Sequence, residues 1–310
     1  MRVLLLTACL AGAAAAQQVP DTAFDVSVPR PAHAAPGPRV VIDEAHNNFH
    51  TSTGRYLPFA NLLRNDGLRV TAGTAPFSAQ SLRSADLLII SNALPPRTTV
   101  RSDTASSAFT AAEADAVRDW VHAGGALLLI ADHAPFGGAA EILASRFGVD
   151  FGKGYAYDTV HYFTSRALSH PSILLFTHGN GLLGDHAIMR GRDTTERIAT
   201  VVAFTGQSMS IPAGAVALLR LSPTAREAPD REQVAARAGV SVAGRAQGIA
   251  MQVGRGRVVI LGEAAMMSAQ VAGGNPEANE PVLLMGMNHP GTDDRQFALN
   301  VVRWLSGTLR

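Results

Sequence analysis

Four short apolar runs, interspersed with helix-like stretches, constrain this chain more than any other feature. Arg39-Val40-Val41-Ile42, Leu68–Thr71, Asp86-Leu-Leu-Ile-Ile90 and Ala126-Leu-Leu-Leu-Ile130 lack the polar alternation of a half-exposed strand. Such runs suit parallel strands that are covered on both faces. Between the first two, Phe59, Leu62 and Leu63 recur at helical spacing, with Pro58 tolerated in the first turn and Asp66-Gly67 as the stop. Thr110-Ala-Ala-Glu113 is a capping box that opens a helix with Val117, Trp120 and Val121 on one face, ended by Gly124-Gly125. Gly137-Gly138 begins another helix running to Phe147. The spacing predicts an α/β fold, a Rossmann-like or flavodoxin-like, mostly parallel sheet with helices on both faces.

From about 149 to 245 the rhythm breaks. This stretch is rich in Gly, His and Tyr, with strand-like runs at 198–204 and 215–221. It reads as a β-rich, cap-like insertion, with 224–237 an exposed charged helix or loop. The core pattern then returns as a hairpin, 248–253 and 257–261 about Gly254-Arg255-Gly256. A last amphipathic helix carries Phe297, Val301, Trp304 and Leu305.

The ends of the chain say less about chemistry than about location. Residues 1–16 read as a signal peptide: Arg2, an apolar run from Val3 to Leu10, and Ala14-Ala15-Ala16 as a small-residue cleavage site. Leu6-Thr7-Ala8-Cys9 also resembles a lipobox, which would need a start codon further upstream for acylation of Cys9. The expected location is periplasmic or secreted. Residues 17–37 carry Pro20, Pro29, Pro31 and Pro36 and read as a proline-rich linker, with 38–310 as the α/β domain. No later run reaches the ~20 apolar residues of a membrane span.

Composition removes several reactions. Cys9 is the one cysteine, so a chain cut after residue 16 has no thiol nucleophile, disulfide or cysteine-bound metal. Lys153 is the one lysine and lies outside any phosphate-loop motif. Twenty-six basic residues against 25 acidic ones, interspersed, leave no basic stripe for nucleic acid.

The candidate chemistry sits at the strand ends. In an open parallel sheet ligands bind beyond the carboxyl ends of the strands. Here those ends are Asp43-Glu44-Ala45-His46-Asn47-Asn48-Phe49-His50, Ser91-Asn92, Asp132-His133 and Gly262-Glu263. Glu44 with His46, or Asp132 with His133, would serve as an acid–base pair. Asp43, Asn47, Asn48, Asn92, Gly137, Gly138 and Glu263 would bind ligand, the glycines by exposing N–H groups at a helix start. One divalent ion could be held by His46, Asp132, His133 and Glu263. The plainer alternative is that each Asp caps the next segment and each His is merely solvated.

Other features read as structural. Gly206-Gln207-Ser208 approaches a nucleophile elbow, but Ser stands where the second glycine belongs and Ile211-Pro212 blocks the helix step. His170, His178 and His186 recur every eight residues with glycines between the last two, so they share no face. Met266, Met267, Met285 and Met287 suit core packing. His289 stands in a turn before the last helix.

Several segments together resemble a group of uncharacterised exported bacterial proteins in the class I glutamine amidotransferase-like superfamily. They are Val41-Ile42-Asp43-Glu44-Ala45-His46, 85–90, Glu113 with 120–129, Ser169-His170-Pro171, 204–208, 256–263 and 300–305. The resemblance spans about 38 to 306 and implies a flavodoxin-like sheet. Members with amidotransferase activity use a cysteine at a strand-to-helix elbow, where this chain has none, so that route is closed. What remains is a hydrolase-type enzyme, with or without metal, for a small polar or carbohydrate-like substrate, or a non-catalytic module binding such a ligand.

Overall fold

Strands that are apolar throughout need helices on both sides, and the chain supplies them. The computed structural model describes residues 18–34, 36–99, 106–165, 168–273 and 282–310. Its first half holds β1 (Val19–Pro20), β2 (Arg39–Asp43), α1 (Leu57–Asn65), β3 (Arg69–Gly73), β4 (Leu87–Ser91), α2 (Ala111–His122), β5 (Ala126–Ile130) and α3 (Phe136–Ser145). Then come β6 (Tyr155–Tyr157), β7 (Tyr162–Thr164), β8 (Ser169–Thr177), α4 (Ala187–Arg190), β9 (Thr200–Phe204), β10 (Val216–Arg220), β11 (Arg226–Ala228), α5 (Arg231–Ala235) and β12 (Val240–Ser241). The chain closes with β13 (Ala246–Val253), β14 (Gly256–Leu261), β15 (Ala269–Ala272), β16 (Leu283–Gly286) and α6 (Asp294–Leu305).

The main sheet has seven strands in the order β10-β13-β14-β5-β4-β2-β3. From β14 to β3 all neighbours are parallel, whereas β13 and β10 join antiparallel at one edge. Numbered by appearance, the five parallel strands lie 2-1-3-4-5, the flavodoxin-like order. Alternate residues of each strand enter opposite cores. Ile42, Leu87, Ile89, Leu128 and Leu261 meet Phe59, Leu63 of α1 and Phe297, Val301 of α6. Leu88, Ile90, Leu127, Leu129 and Ile260 meet Val117, Val121 of α2 and Leu143 of α3. The α2 capping box is formed as read, Thr110 accepting from the Glu113 amide while Glu113 reaches back. Gly125 must lack a side chain, because a Cβ there would stand 2.3 Å from the Trp120 ring.

Two segments depart from their expected character. The proline-rich stretch is irregular but held against the body: β1 pairs with β15, and Phe24, Val26 and Val28 pack on the core. Its Arg30 carbonyl accepts from Arg192 and from Arg303, whose guanidinium is fully buried against Asp66 at 2.7 Å. Prolines forbid repetition, not packing. The middle region is more than a cap, because β10 is an edge strand of the main sheet. Within 224–237, expected to be exposed, Ala225, Glu227, Ala228 and Val234 are buried. The four methionines do pack in the core. Residues 1–16 and Cys9 lie outside the described residues. Among those described, no helix is long and apolar enough to cross a membrane.

Candidate functional site

Because β14, β5, β4 and β2 are parallel neighbours, their polar carboxyl ends stand side by side along one rim. The chemistry along that rim is uneven.

At the end of β2 the polar groups from Asp43 to Asn48 are all committed. Asp43 is wholly buried and accepts from His46 Nδ1 at 2.9 Å and Asn48 Nδ2 at 3.0 Å. His46 Nε2 meets Glu113 Oε1 at 2.9 Å, so both ring nitrogens donate to carboxylates, and the ring packs between Phe77 and Phe109. Burial works against its charge, but Asp43 and then Glu113 outweigh it and hold its pKa above the ordinary value. Glu113 also receives the Phe77 and Thr110 amides, and despite its burial His46 holds it below the ordinary carboxylate value. Asn48 closes the loop on the His46 amide and the Ser91 carbonyl. Glu44 accepts from the Ser52 amide and hydroxyl at 2.8 and 2.6 Å. Asn47 is exposed and donates to the Pro95 and Thr98 carbonyls. These residues therefore build the loop after β2. His46 has no nitrogen left for a proton shuttle or a metal, and Glu44 is tied to Ser52 and not to His46.

The ends of β5 and β14 differ. Asp132 is nine-tenths buried; its amide is held by Asn92 Oδ1 at 2.9 Å, and its carboxylate accepts the His133 amide at 2.7 Å. Burial pushes its pKa up to about 7. Glu263 has no exposed surface; it accepts from Ala265 and Met266 amides at 2.6 and 2.8 Å. Burial, and then the charge of Asp132, raise it well above the carboxylate range. Two carboxyls so placed resist simultaneous ionisation and titrate as a pair. His133 Nδ1 lies 2.7 Å from the Ala134 carbonyl, which assigns the proton there and leaves Nε2 as the lone-pair nitrogen. Its ring stacks on Tyr155 with centroids 4.5 Å apart, and burial lowers its pKa to about 4. It is thus neutral at pH 7.

The loop from β2 into α1 reaches across to this end of the rim, through Phe49 and His50 of the strand ending and through Arg55 and Tyr56, which lie beyond it. Tyr56, fully buried, donates to the Ala264 carbonyl at 2.9 Å and accepts from the Ser91 hydroxyl at 3.0 Å. His50 packs on Tyr56 at 4.6 Å and on the edge of Phe49 at 5.2 Å. The Arg55 guanidinium lies 3.8 Å over the Phe49 ring. Phe49 in turn neighbours Phe136 at 6.0 Å, and Phe136 neighbours His133 at 6.2 Å. In this neighbourhood His50 Nδ1, Arg55 Nε and Asn92 Nδ2 are buried without a hydrogen-bond partner among the described residues. Each such group costs on the order of 1–3 kcal/mol. The only sequence signal for Arg55 and Tyr56 was their position between a polar strand end and a proline-started helix.

Other expectations need correction. Gly137 lies inside the first turn of α3 and serves packing, since a Cβ there would stand 2.2 Å from Gln207 Oε1. Gly138 follows it inside the same helix. The metal set is not assembled: His46 is committed elsewhere, and among the described residues no three His, Cys, Asp or Glu side chains are grouped to hold an ion. Ser208 is buried, its hydroxyl accepting from Arg245. His186 caps α4 and packs on Trp304, His170 bonds Ser172, and His289 packs on Phe163.

No protein-family model matches the chain, and no curated protein sequence does. Among solved structures, the mmIFT52 N-terminal domain is similar with a TM-score of 0.58 at 16% identity, over 87% of this chain and 97% of that one. At that identity the likeness bears on the fold alone. A protein described as ThuA-like from Bacteroides uniformis has a TM-score of 0.44 at 15% identity, covering 89% of this chain and 94% of its own. A second ThuA-like protein, from Parabacteroides merdae, has 0.41 at 11%, covering 87% and 90%. The superfamily stays a resemblance read from sequence.

Proposed function

We propose that this protein is an exported, hydrolase-type enzyme that acts on a small polar, carbohydrate-like substrate at the β5–β14 end of the rim. His133 Nε2 takes a proton from the attacking water. The Asp132–Glu263 pair, which retains a proton near neutrality, delivers one to the leaving oxygen. Asn92 positions Asp132 through its amide, and Tyr56 closes the floor between Ser91 and Ala264. The observation that carries this reading is the contrast in commitment. His133 has an uncommitted ring nitrogen beside two buried carboxyls that resist ionising together, next to buried donors with no partner among the described residues.

The test is turnover of a panel of para-nitrophenyl glycosides and esters. Wild-type protein should release nitrophenol from at least one, and Asp132→Asn and His133→Ala should each lower kcat by about a hundredfold or more. Neither thermal midpoint should fall far below that of the wild type at neutral pH. Unchanged turnover in both variants would overturn the assignment.

The second reading, a binding module, is favoured by one observation: the orphaned donors need an acceptor, not a reaction. It would be upheld by calorimetric binding of a saccharide with no turnover of any panel member.

A further inference from the structure

Arg55 is oddly placed for a residue of the loop shell. Its guanidinium lies on the Phe49 ring, its Nε is buried without a partner, and burial alone accounts for its lowered pKa. Among the described residues it has no carboxylate partner. Ten of the 14 ion pairs recorded there are made by other arginines with one carboxylate or another at 2.5–3.3 Å, so the omission is local.

Two further orphans adjoin it. The Asn92 carbonyl accepts the Phe49 amide at 3.0 Å and its Oδ1 accepts the Asp132 amide, so Asn92, whose Nδ2 has no partner among the described residues, joins the Phe49 loop to the end of β5. His50, 3% exposed, packs on the same Phe49 and leaves Nδ1 unpartnered. Arg55 Nε and Asn92 Nδ2 are donors only, and His50 Nδ1 is a donor in one tautomer. What completes such a group is an acceptor, and beside a desolvated guanidinium the favoured acceptor is an anion. A second cation stands on the other flank. Arg231, at the start of α5, lies 5.6 Å over the Tyr155 ring on which His133 stacks, and it too lacks an ion-pair partner among the described residues. Being exposed, it adds attraction more than grip.

We propose that the substrate carries an oxyanion, a carboxylate or a phosphate, which Arg55 receives on the Phe49 platform with Asn92 and His50 as neighbouring donors. This rests on the reading that the rim holds the substrate, and it narrows a polar substrate to an acidic one.

The test is calorimetric titration of the wild type and of Arg55→Gln with glucuronate, inorganic phosphate and glucose, at low and high salt. The expected result is that glucuronate or phosphate binds at least about tenfold tighter than glucose, and that Arg55→Gln erases the difference. Added salt should weaken the anion and leave glucose unchanged. Loss of phosphate binding alone would point to a phosphate ester, and loss of glucuronate alone to a sugar acid; both uphold the proposal. Equal binding of glucose and glucuronate, a loss in Arg55→Gln shared equally by both, or no anion binding at all would overturn it. The rim reading is judged separately, by whether Asp132→Asn abolishes turnover. If Arg55→Gln melts early, Arg55→Lys keeps the charge and should keep the preference for anions.

Discussion

The two ends of the rim are made of the same residue types and do different work. At the β2 end, Asp43, His46 and Glu113 form a closed chain in which each hydrogen-bonding valence is met by a neighbour. At the β5–β14 end, Asp132, Glu263 and His133 are as buried, yet the carboxyls repel ionisation, one imidazole nitrogen is free and adjacent donors are orphaned. A titratable residue at a strand end is thus informative only once its partners are counted. Full satisfaction marks a structural joint, whereas a deficit in a buried group calls for an explanation.

The largest effect expected from this comparison is at the joint. His46→Ala removes the cation between two carboxylates and leaves Asp43 buried and unpaired, a loss of about 3–5 kcal/mol in urea unfolding. His133→Ala removes one stacked ring and should cost about 1 kcal/mol. Equal losses would erase the distinction.

The next effect is on pH dependence. Asp132 has an ordinary value of 3.8 and a folded-state value of about 7. Across that window the folded protein keeps a proton the unfolded chain has lost, so this group's contribution to stability falls as pH rises from about 4 to about 7. His133, lowered from 6.5 to about 4, binds fewer protons when folded, so its contribution rises with pH over that range. Asp132→Asn removes the first trend and keeps the second. Its stability relative to the wild type should therefore climb from pH 4 to 7 and then level off, as unfolding at several pH values would reveal. A difference independent of pH would mean that Asp132 is ionised throughout. The same pair of values bounds activity: with His133 as base and the carboxyl pair as acid, kcat/KM should fall below about pH 4 and above about pH 7.

The smallest effect is expected at Asn47, exposed and bonded only to two loop carbonyls at a φ of 46°. Asn47→Ala should shift stability by about 1 kcal/mol or less and leave ligand binding intact. A large change in binding would return Asn47 to the site.

Local chemistry was legible in the sequence. The four core strands, the Thr110–Glu113 cap and the hairpin about Gly254 follow from apolar runs and turn residues, and the convergence of four polar endings follows from parallel strands. What was not legible is pairing at a distance. Glu113 reads as a helix cap, and nothing near it announces that its other oxygen meets His46, 67 positions away. Gly137 reads as an anion loop until Gln207 fills the space beside it. Glu227 sits in a charged stretch but turns inward to receive the Gly154 and Ser208 amides. Arg55 and Tyr56 carry no motif, and only the course of the loop after β2 brings them to the rim.

The central claim is that the β2 end holds the fold and the β5–β14 end holds the substrate. Its most direct test is to compare His46→Ala and Asp132→Asn side by side, measuring urea unfolding and turnover per folded molecule on the same nitrophenyl panel. The expected result is a crossed pattern: His46→Ala loses stability and keeps turnover, while Asp132→Asn keeps stability and loses turnover. The reverse pattern, or a parallel loss of both properties in both variants, would contradict it.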